Sequence, residues 1–135
     1  MNLREVSKLF YQLKLANQEM ITKFEDETCF SITRYELMMV LKVKGPCSQT
    51  TLQKELKIDR AAITRHLQIL EANHFVIRER NKENNRQVFV QITNEALEAL
   101  KRCEEKHYQA NKRFELALSE SEARTLLELL SKLVN

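Results

Sequence analysis

A single glycine, Gly45, directly followed by a single proline, Pro46, is all the backbone punctuation in a chain of 135 residues. Average sequences devote roughly 7% and 5% to these two residues, because sheets and loops need them to reverse direction. A chain almost without them has few tight turns and must be mainly helical, with a small sheet at most. Its length suits one domain, residues 1–135, able to bury roughly two-thirds of its unfolded surface.

Apolar spacing divides the chain further. Leu3, Val6, Phe10, Leu13, Asn17, Met20 and Phe24 follow in steps of three and four, a heptad seam on one long helix. Asn17 interrupts it, and a lone seam asparagine either fixes register between paired helices or faces a solvated gap. A second apolar helix is expected from Ile32 to Val43, with Thr33 as candidate N-cap. Lys42, Lys44 and the Gly45-Pro46 pair favour its end. A short third helix should start near Ser48 or Gln49, with Leu52 and Leu56 facing the core.

Asp59 is the expected N-cap of a fourth helix, since its carboxylate can accept hydrogen bonds from the first free amides. Ile63, Leu67 and Leu70 form its apolar stripe, widened by Ala62 and Ile69. Arg60, Thr64 and Gln68, with Ala61 and Arg65 beside them, share a polar face almost free of acid. Beyond Asn73-His74 the period changes: Phe75–Arg80 and Gln87–Ile92 read as two strands of a hairpin, Val88, Val90 and Ile92 alternating with Gln87, Phe89 and Gln91. The Asn-rich stretch 81–86 suits the turn between them. Asn94 is the expected cap of a fifth helix running to about Leu118, and Ser119-Glu120-Ser121-Glu122 has the form of a capping box opening a sixth. That last helix carries Leu126, Leu129, Leu130 and Leu133 on one side, extended by Leu127 and Val134.

The formal net charge is +3, too small to imply nucleic acid by itself, but its placement is informative. Between Lys54 and Arg86 stand eight basic and five acidic residues, so the whole excess lies in one quarter of the chain. Cys29, Cys47 and Cys103 are an odd number without paired spacing, which suggests neither a disulfide framework nor a zinc finger. With no apolar run near 20 residues and no signal-peptide core, a cytoplasmic protein without membrane contact is expected. Nor is there a Gly-rich phosphate loop, a pair of motif carboxylates or a nucleophile with an evident base, so the chain does not read as an enzyme and calls for no cofactor.

Helix, turn, helix and β-wing in that order make a DNA-reading arrangement, because an α-helix fits the major groove and polar side chains on its outer face reach base edges and phosphates. Arg60, Ala61, Thr64, Arg65 and Gln68 are the candidate reading residues on the helix; Arg78, Arg80, Lys82, Asn84, Asn85 and Arg86 are candidates on the wing. The rival reading is a winged-helix module that docks protein rather than DNA.

The stretch Ala62-Ile63-Thr64-Arg65-His66-Leu67-Gln68-Ile69-Leu70-Glu71 resembles the recognition helix of the MarR (multiple-antibiotic-resistance regulator) family, Phe75-Val76-Ile77-Arg78 its first wing strand, and Asn84-Asn85-Arg86 followed by Ile92-Thr93 its wing signature. The resemblance covers essentially the whole chain and implies a mainly α fold with a small β-wing, the winged helix-turn-helix of residues 32–93 flanked by dimerisation helices in 1–31 and 94–135. Three positions depart from the pattern: Asn84 replaces an aspartate, while His74 and Ala96 replace glycines. A cytoplasmic repressor follows, a homodimer on pseudopalindromic double-stranded DNA, with Arg86 entering the minor groove. Apolar helix faces support pairing independently, and Leu3, Val6, Phe10, Leu13, Phe114, Leu126, Leu129, Leu130 and Leu133 are the candidate dimer residues.

The resemblance also implies a small-molecule effector, for which Tyr11, Phe24, Phe30, Tyr35, Met38 and Tyr108 are candidate pocket residues, or a redox-sensing thiol. Core packing is the competing role for these aromatics, and simple packing the favoured role for the cysteines. Cys29, Glu36 and His107 are weak candidates for zinc by analogy with zinc-sensing relatives, but Asn111 stands where a second histidine would complete a helical pair, so no metal site is expected.

Overall fold

The computed structural model describes residues 1–80, 83, 87–109 and 116–134, the side chains of 108 and 109 being outside this set. Among these residues six helices and three short strands follow one another: α1 Leu3–Thr28, α2 Ile32–Lys44, β1 Cys47–Ser48, α3 Gln49–Leu56, α4 Arg60–Ala72, β2 Val76–Arg80, β3 Val88–Ile92, α5 Asn94–Gln109 and α6 Glu120–Val134. The chain divides into two compact units, Met1–Lys101 and Arg102–Asn135.

Side-chain oxygens set the helix starts. Asn2 opens α1 with a capping box, its Oδ1 accepting from the Glu5 amide at 2.9 Å while Glu5 Oε2 accepts from the Asn2 amide at 3.0 Å. The cap of α2 is Ser31, not Thr33, because Ser31 holds an extended backbone and its Oγ faces the Arg34 amide, whereas Thr33 already lies inside the helix. Ser48 caps α3 and Asp59 caps α4, the latter through a 2.7 Å bond from the Ala62 amide. Gly45, at φ +80°, ends α2 in a conformation that favours glycine.

Recognition of the end of α4 depends on two backbone bonds. The His74 amide donates to the Glu71 carbonyl (3.0 Å) and the Phe75 amide to the Leu70 carbonyl (2.8 Å). This is a Schellman motif, with His74 in the left-handed conformation at φ +63° and Phe75 returned to the core beside Leu70. A non-glycine residue thus occupies a glycine-type position.

The three strands form an antiparallel sheet in the order β1-β3-β2, with Cys47 opposite Val90 and Val76 opposite Ile92. Val90 is buried between exposed Phe89 and Gln91, the alternation expected of a half-buried strand. Strand β1 is absent from the sequence reading, since two residues are too few to show a period.

Helix α5 is capped by Thr93 rather than Asn94: the Thr93 hydroxyl accepts from the Ala96 amide (3.1 Å) and donates to the His74 carbonyl (2.8 Å). The Thr93 amide also donates to the Phe75 carbonyl at 3.0 Å. Leu116 and Leu118 are not helical, contrary to the expected single helix reaching Leu118. The Ser119–Glu122 capping box explains this, because the residues preceding a capped start leave the helix; Ser119 N donates to Glu122 Oε1 (2.9 Å) and Glu122 N to Ser119 Oγ (3.1 Å).

One apolar core serves the Met1–Lys101 unit. Leu37, Met38 and Leu41 from α2, Leu52 from α3, Ile63, Leu67 and Leu70 from α4, Val76, Val90, Ala96 and Leu100 are all buried. Ile69, expected to widen the α4 stripe, instead faces outward with 42% of its surface exposed. Phe24 and Tyr35 meet edge to face at 5.3 Å, and Phe30 lies 6.0 Å from Tyr35 and 6.4 Å from Phe75. These aromatics, with wholly buried Met38, fill space between elements, while Tyr11 is exposed beside Lys14. Neither α1 nor α6 has a buried residue.

Candidate nucleic-acid interface

Three residues, Lys57, Ile58 and Asp59, carry the chain from α3 to α4 without a glycine; Lys57 takes the left-handed conformation itself, at φ +53°. The packing of Leu52 with Ile63 and Leu67 in the core fixes α4 by one side, leaving the opposite side to solvent. On that side Arg60, Ala61, Arg65 and Gln68 are exposed. Between Arg60 and Leu70 there is no carboxylate, and neither Arg60 nor Arg65 has a carboxylate partner among the described residues. Two cations and an amide therefore face water along two turns of helix, at the end where the first amides of the helix add partial positive charge.

Thr64 differs from its neighbours. It is half-buried, and its hydroxyl donates to the Arg60 carbonyl (2.8 Å) while accepting from Gln49 Nε2 (2.8 Å). Gln49 is the first residue of α3, so this bond joins the starts of the two helices. It was not a sequence candidate, because one polar side chain at a helix start leaves no periodic trace. Gln49 belongs to a groove that also takes in Ser48, Thr50, Gln53, Arg60, Arg80 and Gln87, bringing the α3 and α4 starts together with the roots of the wing.

Among the wing candidates the structure separates two cases. Arg80 lines this groove, whereas Arg78 is only 22% exposed and pairs with Glu71 Oε1 at 2.9 Å, tying β2 to α4. The hydrogen bond from Arg78 holds the Glu71 carboxyl below its ordinary pKa. Arg78 is thus a brace within the module. Lys82, Asn84, Asn85 and Arg86 lie outside the described residues, as does Phe114.

Elsewhere on α4, Arg34 of α2 reaches His66, with Nη1 3.2 Å from Nδ1. Burial, then the positive charges of Arg34 and Arg65, lower the His66 pKa. A neutral imidazole accepting from the guanidinium fits all three influences. Burial likewise pushes the Cys47 thiol up, against the pull of Lys44, which disfavours a reactive thiolate there. Cys29 is exposed and Cys103 half-buried, and none of the three is in a disulfide. No cluster of three or more His, Cys, Asp or Glu suited to a metal ion occurs among the described residues. Within them, no helix is long and apolar enough to cross a membrane.

Two helices joined by a short turn, the second braced against a two-stranded antiparallel wing, define a winged helix-turn-helix protein. The chain belongs to the MarR family of transcriptional regulators: residues 30–88 match the MarR family profile, and 131 residues align at 34% identity with the uncharacterised HTH-type transcriptional regulator YdgJ of Bacillus subtilis, covering 97% of this chain and 80% of that one. The fold is also that of a cysteine-to-serine mutant of MarR from E. coli complexed with operator DNA (TM-score 0.83, 21% identity, both chains fully covered). A second solved relative, the transcriptional repressor CouR bound to a 23-mer DNA duplex, superposes equally well (TM-score 0.83, 20% identity, 100% and 99% covered).

Proposed function

We propose that this protein is a cytoplasmic, sequence-specific DNA-binding repressor that acts as a homodimer on pseudopalindromic operators, each α4 entering a major groove about one helical turn from its partner's. The observation that carries this reading is the exposed, acid-free face of α4 with Arg60, Arg65 and Gln68. Arginine offers two donors to guanine and glutamine a donor and acceptor to adenine. Arg80 adds positive charge where the wing meets this face, and Arg86 is assigned to the minor groove on the strength of the wing signature.

Pairing is supported by apolar surface that water does not tolerate well. On α1, Leu3 is 85% and Phe10 58% exposed; on α6, Leu129 is 51% and Leu133 62% exposed. A second copy supplies the same faces in return, as two-fold symmetry requires. Release of DNA by a small molecule or a thiol oxidant completes the proposal and rests on family membership alone.

The test is enrichment of bound duplexes from a random-sequence library at moderate salt. The wild type is expected to enrich an inverted repeat, Arg65→Ala to lose preference at one base pair per half-site, and Arg86→Ala to weaken all sequences alike with a salt slope smaller by about 1. Failure of the wild type to enrich any sequence refutes the proposal and leaves a protein-docking module.

A further inference from the structure

The bond between Gln49 and Thr64 changes which group is available to read a base. A threonine hydroxyl has one proton, and here it goes to the Arg60 carbonyl at 2.8 Å. Thr64 Oγ1 therefore meets Gln49 as an acceptor, which forces the amide to present an N–H to it, at 2.8 Å. The assignment of the Gln49 amide follows from this accounting: it is the nitrogen, not the oxygen, that meets Thr64. One N–H of Gln49 is used, while its second N–H and its carbonyl oxygen have no partner among the described residues. Gln49 itself lines the groove shared with Arg60 and Arg80.

We propose that Gln49, at the start of α3, is a specificity-determining residue that reads an adenine in the major groove, held in the reading orientation by Thr64. The inference rests on the DNA-binding function proposed above and adds to it a base-reading residue outside the recognition helix. Its chemistry is that of a primary amide. The N–H on the same side as the carbonyl and the carbonyl itself form an adjacent donor and acceptor, which match adenine N7 and N6. Binding both partners assigns the other N–H, on the far side of the nitrogen, to the Thr64 hydroxyl, so that the two contacts use different hydrogens. Thr64 is then a positioning residue: with its only proton committed to the backbone it has none to donate to a base, and its part is to orient the amide.

The test compares the wild type with Gln49→Ala, Thr64→Val and Thr64→Ser in the same duplex enrichment, followed by affinities on the enriched duplex and on one unrelated duplex. The wild type is expected to select A·T at one position per half-site. Gln49→Ala loses that single preference and about tenfold in affinity for the enriched duplex, with little change on unrelated DNA. Thr64→Val, which keeps the shape and removes the hydroxyl, relaxes the same position. The Gln49→Ala, Thr64→Val pair is no worse than Gln49→Ala alone, and Thr64→Ser restores the preference. Far-ultraviolet circular dichroism confirms that each variant is folded. Unchanged base preferences in folded Gln49→Ala, or relaxation at different positions in the two single variants, overturn the inference while leaving DNA binding intact. No enrichment by the wild type overturns both.

Discussion

His74 offers the most direct measurement of strain in this fold. It holds φ +63° at the end of α4, where an L-residue with a Cβ loses roughly 1–2 kcal/mol relative to the right-handed region. The side chain is exposed and makes no bond among the described residues, and none of the bonds that define the position uses it: the His74 amide to Glu71, the Phe75 amide to Leu70, and Thr93 Oγ1 to the His74 carbonyl. His74→Gly removes the strain and keeps all three. Against this, glycine gains freedom in the unfolded chain worth about 0.4–1 kcal/mol. The expected balance is a stabilisation of about 0.5–1 kcal/mol. With unfolding entropy near 2.1 cal/mol/K per residue, a chain of 135 residues rises in Tm by about 2–4 °C. His74→Ala keeps the Cβ and the strain, so it stays within about 0.5 kcal/mol of the wild type. The assay is thermal unfolding by circular dichroism at one fixed protein concentration, because a dimer's midpoint depends on concentration. A glycine variant melting below the alanine variant refutes the reasoning.

The His66 imidazole, with its pKa lowered in the fold, gives a pH dependence of definite sign. Below the ordinary imidazole value of about 6.5 the unfolded chain takes up the proton first, so stability is complete above that range and falls as the pH drops toward the folded value. His66→Gln, which retains an acceptor for Arg34 without titrating, is expected to flatten the urea midpoint between about pH 7 and pH 5.5, a window lying above that in which Glu71 loses its Arg78 bond; an equally steep fall in the variant refutes this. Leu129→Lys with Leu133→Lys is expected to shift the protein from dimer to monomer in sedimentation and to abolish tight operator binding, and a dimer that survives both changes excludes this face of α6 from the interface.

Side-chain chemistry explains why some of the fold was legible in the sequence. Ile63, Leu67 and Leu70 repeat at helical spacing and are buried together, and the Ser119–Glu122 capping box forms as its spacing implies. Both are local rules, decided within a turn or two of helix. What escaped was set by partners distant in sequence. Strand β1 exists because β3 offers it an edge. Thr93 displaces Asn94 as a cap because its hydroxyl also serves the His74 carbonyl, and Arg78 is held by Glu71, seven residues away on another element. The proposed DNA interface shows the same division. Arg60, Arg65 and Gln68 are legible as a face, whereas the role of Gln49 depends on a bond spanning fifteen residues.

Thr93 occupies a place where three parts of the molecule are fastened to one residue. Its amide holds Phe75 as the chain leaves α4, its hydroxyl oxygen caps α5, and its hydroxyl proton holds the carbonyl of His74, the left-handed residue that follows α4. A rivet of this kind joins the end of α4, the approach to β2 and the start of α5. Losing the Thr93 hydroxyl alone, as in Thr93→Val, would therefore loosen two of these junctions at once, the start of α5 and the turn that closes α4.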